Sequence, residues 1–156
     1  MATLRIEQLQ KCLDKFGKKH FFVDTGSEDV DYVAVDGYYV LEIPKDSLQL
    51  PNYEDGYHFR RIDGIERRIT RIAEAGHNFE FKEVKTLTSG TTVCVFTDGE
   101  EEIYIDRRFF KDFYNGLFST KGFAKNVTFT GTNKDEMLVA WQDNDLIGAY
   151  CPIKHL

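Results

Sequence analysis

Ile105-Asp-Arg-Arg-Phe-Phe-Lys-Asp-Phe-Tyr-Asn-Gly-Leu-Phe118, with the segment that follows it to Leu156, decides the fold. Asp106 is a candidate helix N-cap, and Phe109, Phe110, Phe113, Tyr114, Leu117 and Phe118 recur at helical spacing, so a helix with an aromatic face is expected, closed by Gly122 just beyond. After it Val127 and Phe129 alternate with Thr128 and Thr130, Gly131-Thr-Asn-Lys-Asp135 makes a turn, and Met137 to Trp141 is a second apolar run. Asp143-Asn-Asp145 makes another turn before a third strand, Leu146 to Cys151.

The same order, one helix and three strands, is expected earlier, from Ile6 to Pro44. A helix from about Arg5 to Phe16 buries Ile6, Leu9, Leu13 and Phe16 and stops at Gly17. Phe21 to Val23, Tyr32 to Val35 and Tyr38 to Ile43 are strands, and Asp36-Gly37 is a two-residue hairpin signal because Gly tolerates the positive φ of a type I′ turn. Pro44 ends the third strand by removing a donor, as Pro152 does later. Val33-Ala-Val35 matches Val139-Ala-Trp141, and Leu41 to Lys45 parallels Ala149 to Lys154; element order carries the repeat more than residue identity does.

Between the copies, 46–57 is a polar, turn-rich loop. A short helix near 63–75 follows, with Asp63 as cap, Ile65, Ile69 and Ile72 inward and Gly76 at its end. Phe79 to Leu87 and Thr91 to Thr97 then form a hairpin across Ser89-Gly90, and Asp98-Gly99 turns the chain into Glu102 to Ile105. The expected fold class is therefore α+β: a single domain of two pseudo-symmetric αβββ repeats, 1–45 and 101–156, joined by 46–100. Antiparallel sheets carry helices on one side, with the 63–75 helix as an addition.

With 156 residues, 42% of them hydrophobic and aromatics that include 13 Phe and 8 Tyr, the chain suits one core in a sheet-rich domain rather than a disordered tail. No apolar run approaches a membrane span and no secretory signal opens the chain, so a cytoplasmic protein without a membrane partner is expected. Cys12, Cys94 and Cys151 are odd in number and sit among apolar neighbours, which predicts buried reduced thiols. His20, His58, His77 and His155 lack paired ligand spacing, so neither metal nor cofactor is expected.

The net charge of −6 is unevenly spread: residues 1–20 hold five bases and two acids, 21–59 nine acids and one base, and 60–71 five bases and two acids. Such patterning lets one basic face meet phosphates while the rest stays acidic. Lys11, Lys15 and Lys18 fall together opposite the first helix's apolar stripe, and Arg108 and Lys111 fall opposite the aromatics of the later helix. For Arg67 and Arg71 three readings stand: contact with phosphate, packing on an acidic neighbouring subunit, or pairing with Glu66 and Glu74.

No Gly-rich phosphate loop, nucleophile elbow or Cys-His pair occurs. Gly99-Glu-Glu-Glu102 is a carboxylate run, but successive strand residues alternate faces and cannot converge on one ion. A non-enzymatic protein is expected.

Tyr32-Val-Ala-Val-Asp-Gly-Tyr-Tyr-Val-Leu-Glu-Ile-Pro44, Ile103-Tyr-Ile-Asp-Arg-Arg-Phe-Phe-Lys-Asp-Phe113 and Asp145-Leu-Ile-Gly-Ala-Tyr-Cys-Pro-Ile-Lys154 resemble, in turn, the hairpin, the strand-to-helix entry and the terminal strand and tail of a domain of bacterial beta-clamp type DNA-polymerase sliding clamps. The resemblance is particularly to divergent phage or mobile-element versions. The resemblance covers most of the chain in element order, but bacterial clamps carry three such domains per chain where this one has one, and the 63–75 helix has no counterpart. It implies a role in DNA replication or repair, a homo-oligomer of several copies closing a ring, and duplex DNA facing Lys11, Lys15, Lys18, Arg108 and Lys111. It further implies a pocket formed with Pro152, Ile153 and Leu156 for clamp-binding peptide motifs of replication proteins. Two other functions stay open: a phage or mobile-element regulatory protein that keeps the fold without binding DNA, and an enzyme with a dispersed carboxylate site.

Overall fold

Short apolar runs dictate strands over much of the chain, and these strands pair antiparallel throughout. The computed structural model describes residues 6–16, 21–24, 29–35, 39–45, 47, 65–111, 116–119 and 121–153. In chain order the elements are α1 (Ile6–Phe16), β1 (Phe21–Asp24), β2 (Val30–Val35), β3 (Tyr39–Pro44), α2 (Ile65–Ala75), β4 (His77–Thr86), β5 (Thr92–Thr97), β6 (Glu102–Asp106), α3 (Arg108–Lys111), β7 (Phe118–Ser119), β8 (Gly122–Phe123), β9 (Val127–Gly131), β10 (Leu138–Gln142) and β11 (Asp145–Tyr150). The protein is thus mixed α and β, mostly antiparallel strands with few helices.

Nine strands form one sheet in the order β1-β2-β3-β11-β10-β9-β4-β5-β6. β1–β2–β3 is one meander and β9–β10–β11 another. They meet where β3 pairs with β11, Leu41 opposite Gly148. β4 joins this part to the rest: His77, Asn78 and Phe79 pair with β9, and from Glu80 to Thr86 the strand pairs with β5, with a bulge between Phe81 and Glu83.

Alternation sorts the side chains onto two faces. Val33, Leu41, Leu138, Ala140 and Tyr150 enter one buried cluster, together with Leu9 of α1 and Phe109 and Phe110 of α3. Their strand neighbours Tyr32, Val40, Val139 and Ala149 enter a second cluster with Ile69 and Ile72 of α2. Successive strand residues point to opposite faces, so α1 and α3 cover one side of the sheet and α2 the other. A register shift beside Ala140–Trp141 leaves Ile147 as an extra residue in β11, which lets it join the first cluster although Ala149, two residues on, belongs to the second.

The β10–β11 connection has the geometry that the sequence assigned to Asp36-Gly37. Gln142 pairs with Asp145, and both residues between them, Asp143 (φ 51°) and Asn144 (φ 68°), are left-handed, as a type I′ turn requires. Asp36-Gly37 itself lies outside the described residues, and the β2–β3 pairing closes at Val35–Tyr39 rather than one residue earlier.

The helix expected through Phe118 is corrected. The described helix is Arg108–Lys111, with 112–115 outside the described residues. Phe118 is a strand residue that pairs with Phe123 in a two-stranded hairpin, β7–β8. Gly116 (φ 77°) and Gly122 (φ 123°) adopt backbone that other residues resist, and the hairpin still delivers Phe118 and Phe123 to the core. The later unit is therefore not a plain helix and three strands, because this hairpin stands between α3 and β9. The 63–75 helix is borne out as Ile65–Ala75, closed by the Gly76 N–H donating to the Ile72 oxygen at 2.7 Å. Among the described residues no helix is long and apolar enough to cross a membrane.

Candidate functional site

The basic side chains are positioned by what the helices bury. On α1 Leu9 is fully buried, and Lys11, two residues or about 200° further round, is exposed. Lys15 lies on α1 but its side chain is outside the described residues, and Lys18 is outside them altogether. On α3 Phe109 and Phe110 turn inward, leaving Arg108 78% exposed. Lys111 ends α3, with its side chain outside the described residues. Lys11 and Arg108 thus belong to the two helices that cover the same face of the sheet.

Arg108 is held there by the residue that caps its helix. Asp106 is 4% exposed, and the Oδ1 of its carboxylate accepts from the Arg108 backbone N–H at 3.0 Å. Arg108 Nη2 donates to Oδ2 at 2.8 Å and Nε to Oδ1 at 3.1 Å. This two-pronged pairing fixes the guanidinium and balances its charge locally.

Arg67 and Arg71 occupy a different surface. Ile69 and Ile72 anchor α2 on the opposite face of the sheet, so these exposed arginines do not share a side with Lys11 and Arg108. Their neighbour Arg68 reaches Glu136, in the β9–β10 turn, with Nη2 at 2.6 Å and Nε at 3.2 Å from one oxygen. Burial pushes the Glu136 carboxyl up, but the Arg68 hydrogen bond, the Met137 N–H and the charges of Arg68 and Arg71 outweigh it and hold it below its ordinary value.

Pro152 and Ile153 are half-buried. The Ile153 N–H donates to the Tyr104 oxygen at 2.8 Å, bridging onto β6, and its side chain, like that of Leu87, packs against the cluster of Val93, Val95 and Tyr104. Ile153 thus packs on the face of β5 and β6 opposite that of Cys94, Phe96, Ile103 and Ile105. Leu156 lies outside the described residues.

The carboxylate run is absorbed by its turn. The Asp98 carboxylate accepts from the backbone N–H groups of Glu101 at 2.7 Å and Glu100 at 2.8 Å, and from the ring of His77 at 2.6 Å. Glu102 pairs with Lys82 at 2.6 Å. The Glu101 N–H, then His77 and the Glu100 N–H, hold the Asp98 carboxyl down at about 2, against an ordinary 3.8. A depressed carboxyl contributes stability above its ordinary range and loses it as pH falls through about 2. Carboxyl-carbon NMR should therefore place the Asp98 midpoint near 2. In His77→Ala it should rise part of the way only, because the two backbone donors remain; a midpoint at the ordinary value in the parent protein would contradict the geometry.

Among the described residues no three His, Cys, Asp or Glu side chains converge to hold a metal ion. Cys94 is fully buried and burial pushes its thiol up to about 12, so it is an inert core residue. Cys151 is only half-buried, a correction to its expected place in the core, though burial raises it too. Cys12's side chain is outside the described residues.

Sequence reasoning overlooked Arg107, His77 and the Arg68–Glu136 pair. All of them depend on partners distant in the chain, which leave no local spacing to read. No protein-family model, no curated protein and no solved structure matches this chain.

Proposed function

We propose that this is a clamp-like, non-enzymatic binding protein that acts in DNA replication or repair through contacts with duplex DNA and with protein partners. The observation that carries the proposal is the shared sheet face of α1 and α3, from which Lys11 and Arg108 stand out into solvent. The sheet order supports it as well: β1–β2–β3 and β11–β10–β9 run outward from the β3–β11 pair, each following a helix in the chain, as two pseudo-symmetric repeats would. In this reading Lys11, Lys15, Lys18, Arg108 and Lys111 attract the phosphate backbone without reading bases, and several copies close around the duplex. Pro152, Ile153 and Leu156 would then border the site for peptide motifs.

Fluorescence anisotropy with a short duplex tests this. Affinity should fall steeply with added salt, and Lys11→Glu with Lys15→Glu should weaken binding on the order of tenfold at low salt. Light scattering should find an oligomer. A monomer whose duplex binding ignores both salt and these substitutions would end the proposal. The protein-only regulatory reading has one observation in its favour, the neutralisation of Arg108 by Asp106, and it predicts no duplex binding at all.

A further inference from the structure

Beyond its short pairing with β9, β4 is an edge of the sheet. The β4–β9 ladder stops at Phe79 opposite Phe129, although β4 runs on to Thr86 and β9 begins at Val127. From Glu80 to Thr86 the strand pairs with β5 alone among the described residues. The parting strands leave an open cleft of about 400 Å³. Asn78, Glu80 and Thr128 line it from one face of the sheet and Phe79, Phe81 and Phe129 from the other, so the cleft lies in the plane of the sheet, where a further strand would run.

The bulge decides which way the side chains of this edge point. Phe81 and Val84 stand opposite Phe96 and Cys94, which enter the core, so both face the core side. Glu80, Glu83 and Lys85 stand opposite Thr97, Val95 and Val93 and face the far side, where Lys82, the inserted residue, reaches Glu102. From Glu80 to Lys85 the edge therefore runs acid, apolar, base, acid, apolar, base, with the apolar pair on one face and the charges on the other. All of these residues are at least partly exposed, and Val84, at 38%, is the exposed large hydrophobic among the described residues.

That pattern is its own complement when reversed. If two copies of the strand run antiparallel with Phe81 opposite Val84, Glu80 meets Lys85 and Lys82 meets Glu83, each pair drawn from one face. A slip of one residue either way sets Phe81 against Glu83 or Lys85, which point to the other face. Charges on an edge strand ordinarily keep copies apart, but in this register opposite signs meet. Lys82 keeps Glu102 and Lys85 keeps Tyr104 within their own sheet, and each ammonium has further N–H groups to donate.

We propose that the β4 edge binds the β4 edge of a second copy, antiparallel and about a two-fold axis, with Phe81 packed on Val84 and the lysines on the glutamates across the join. The same patch serves both partners, so the contact is closed at two copies. It needs neither duplex DNA nor Lys11, and so stands apart from the clamp-like reading, whose ring requires a contact that continues from copy to copy. The charges set register and partner choice more than affinity. A contact of one strand is small, so the association is weak and shows at high protein concentration.

Sedimentation equilibrium of the full chain over a wide range of concentration, with amide NMR on the same samples, tests this. A monomer–dimer equilibrium is expected, and the amides from Glu80 to Lys85 should shift with concentration to saturation. Each substitution acts twice across the axis, so Val84→Lys, which sets a charge against Phe81, should weaken the dimer on the order of tenfold. Glu83→Lys, which brings like charges together, should weaken it several-fold, and adding Lys82→Glu to it should restore opposite signs and most of the affinity. Thermal unfolding shows whether each variant folds, and the Glu83→Lys pair carries the test if Val84→Lys does not. A monomer at every concentration, or a dimer that these substitutions leave unchanged, overturns the proposal. So does a dimer that the Lys82→Glu, Glu83→Lys exchange fails to restore, because the register is then wrong. Amides of β4 that answer only to an added peptide of alternating valine and threonine would assign the edge to a foreign strand and overturn it as well. Salt-dependent duplex binding that survives Val84→Lys while the dimer is lost would separate this contact from the helix-face proposal.

Discussion

Phe110→Ala should cost about 3–5 kcal/mol of folding stability, the range for removing a buried phenyl ring from a packed core. Phe110 is 1% exposed, and its ring centre lies 4.6 Å from that of Tyr150, 4.9 Å from Phe123, 5.9 Å from Phe96 and 6.1 Å from Phe129. Those partners come from β11, β8, β5 and β9, so one ring joins α3 to four strands that are scattered along the chain. Whole domains are stable by only about 5–15 kcal/mol, so the variant should sit near the threshold of folding, with a thermal midpoint lower by about 10 °C. Val84→Ala supplies the contrast: Val84 is 38% exposed, and the change should stay within about 0.5 kcal/mol. Chemical denaturation of both variants checks the pair, and a Phe110→Ala loss below about 1 kcal/mol would mean that this cluster does not hold the core together.

Gly148→Ala should open the join between the two meanders. A Cβ added at Gly148 would stand 2.3 Å from the Val40 oxygen and 3.3 Å from the Val40 carbonyl carbon, both backbone atoms of β3 that no side-chain rotation can move aside. Replacing Gly by Ala recovers about 0.4–1 kcal/mol from the unfolded chain, but forcing atoms into a filled contact costs about 1–3 kcal/mol, so the net effect is destabilising. The loss should be local. Amide hydrogen exchange in β3 and β11 should accelerate while β5 keeps its protection, and unchanged exchange along β3 would show that the close approach is absent in solution.

Much of this architecture was legible because it rests on short-range patterns. Ile69 and Ile72 mark α2 by spacing alone, Asp98-Gly99 announces the turn into β6, and Asp106 caps α3 through the bond that its position suggests. The β7–β8 hairpin was not legible, since Leu117 and Phe118 continue the helical spacing of Phe109 and Phe110 whether or not the helix does. Periodicity cannot separate a helix that presents an aromatic from a two-residue strand that presents the same aromatic. The basic residues show a second limit. Spacing correctly takes Arg108 away from the core, but only the fold reveals that Asp106 grips it and that α2, with Arg67 and Arg71, covers the opposite face.

The pairing of Leu41 with Gly148 also bears on how the polypeptide reaches its native state. β3 is made well before its neighbour β11, with seven strands between them in the chain, so the rim of the first meander must wait unpaired until that later strand has emerged. Contacts between such distant segments slow folding, and an unsatisfied strand rim is open to pairing with the wrong molecule in the meantime. Refolding at high protein concentration should for that reason lose yield to aggregation sooner than it loses rate.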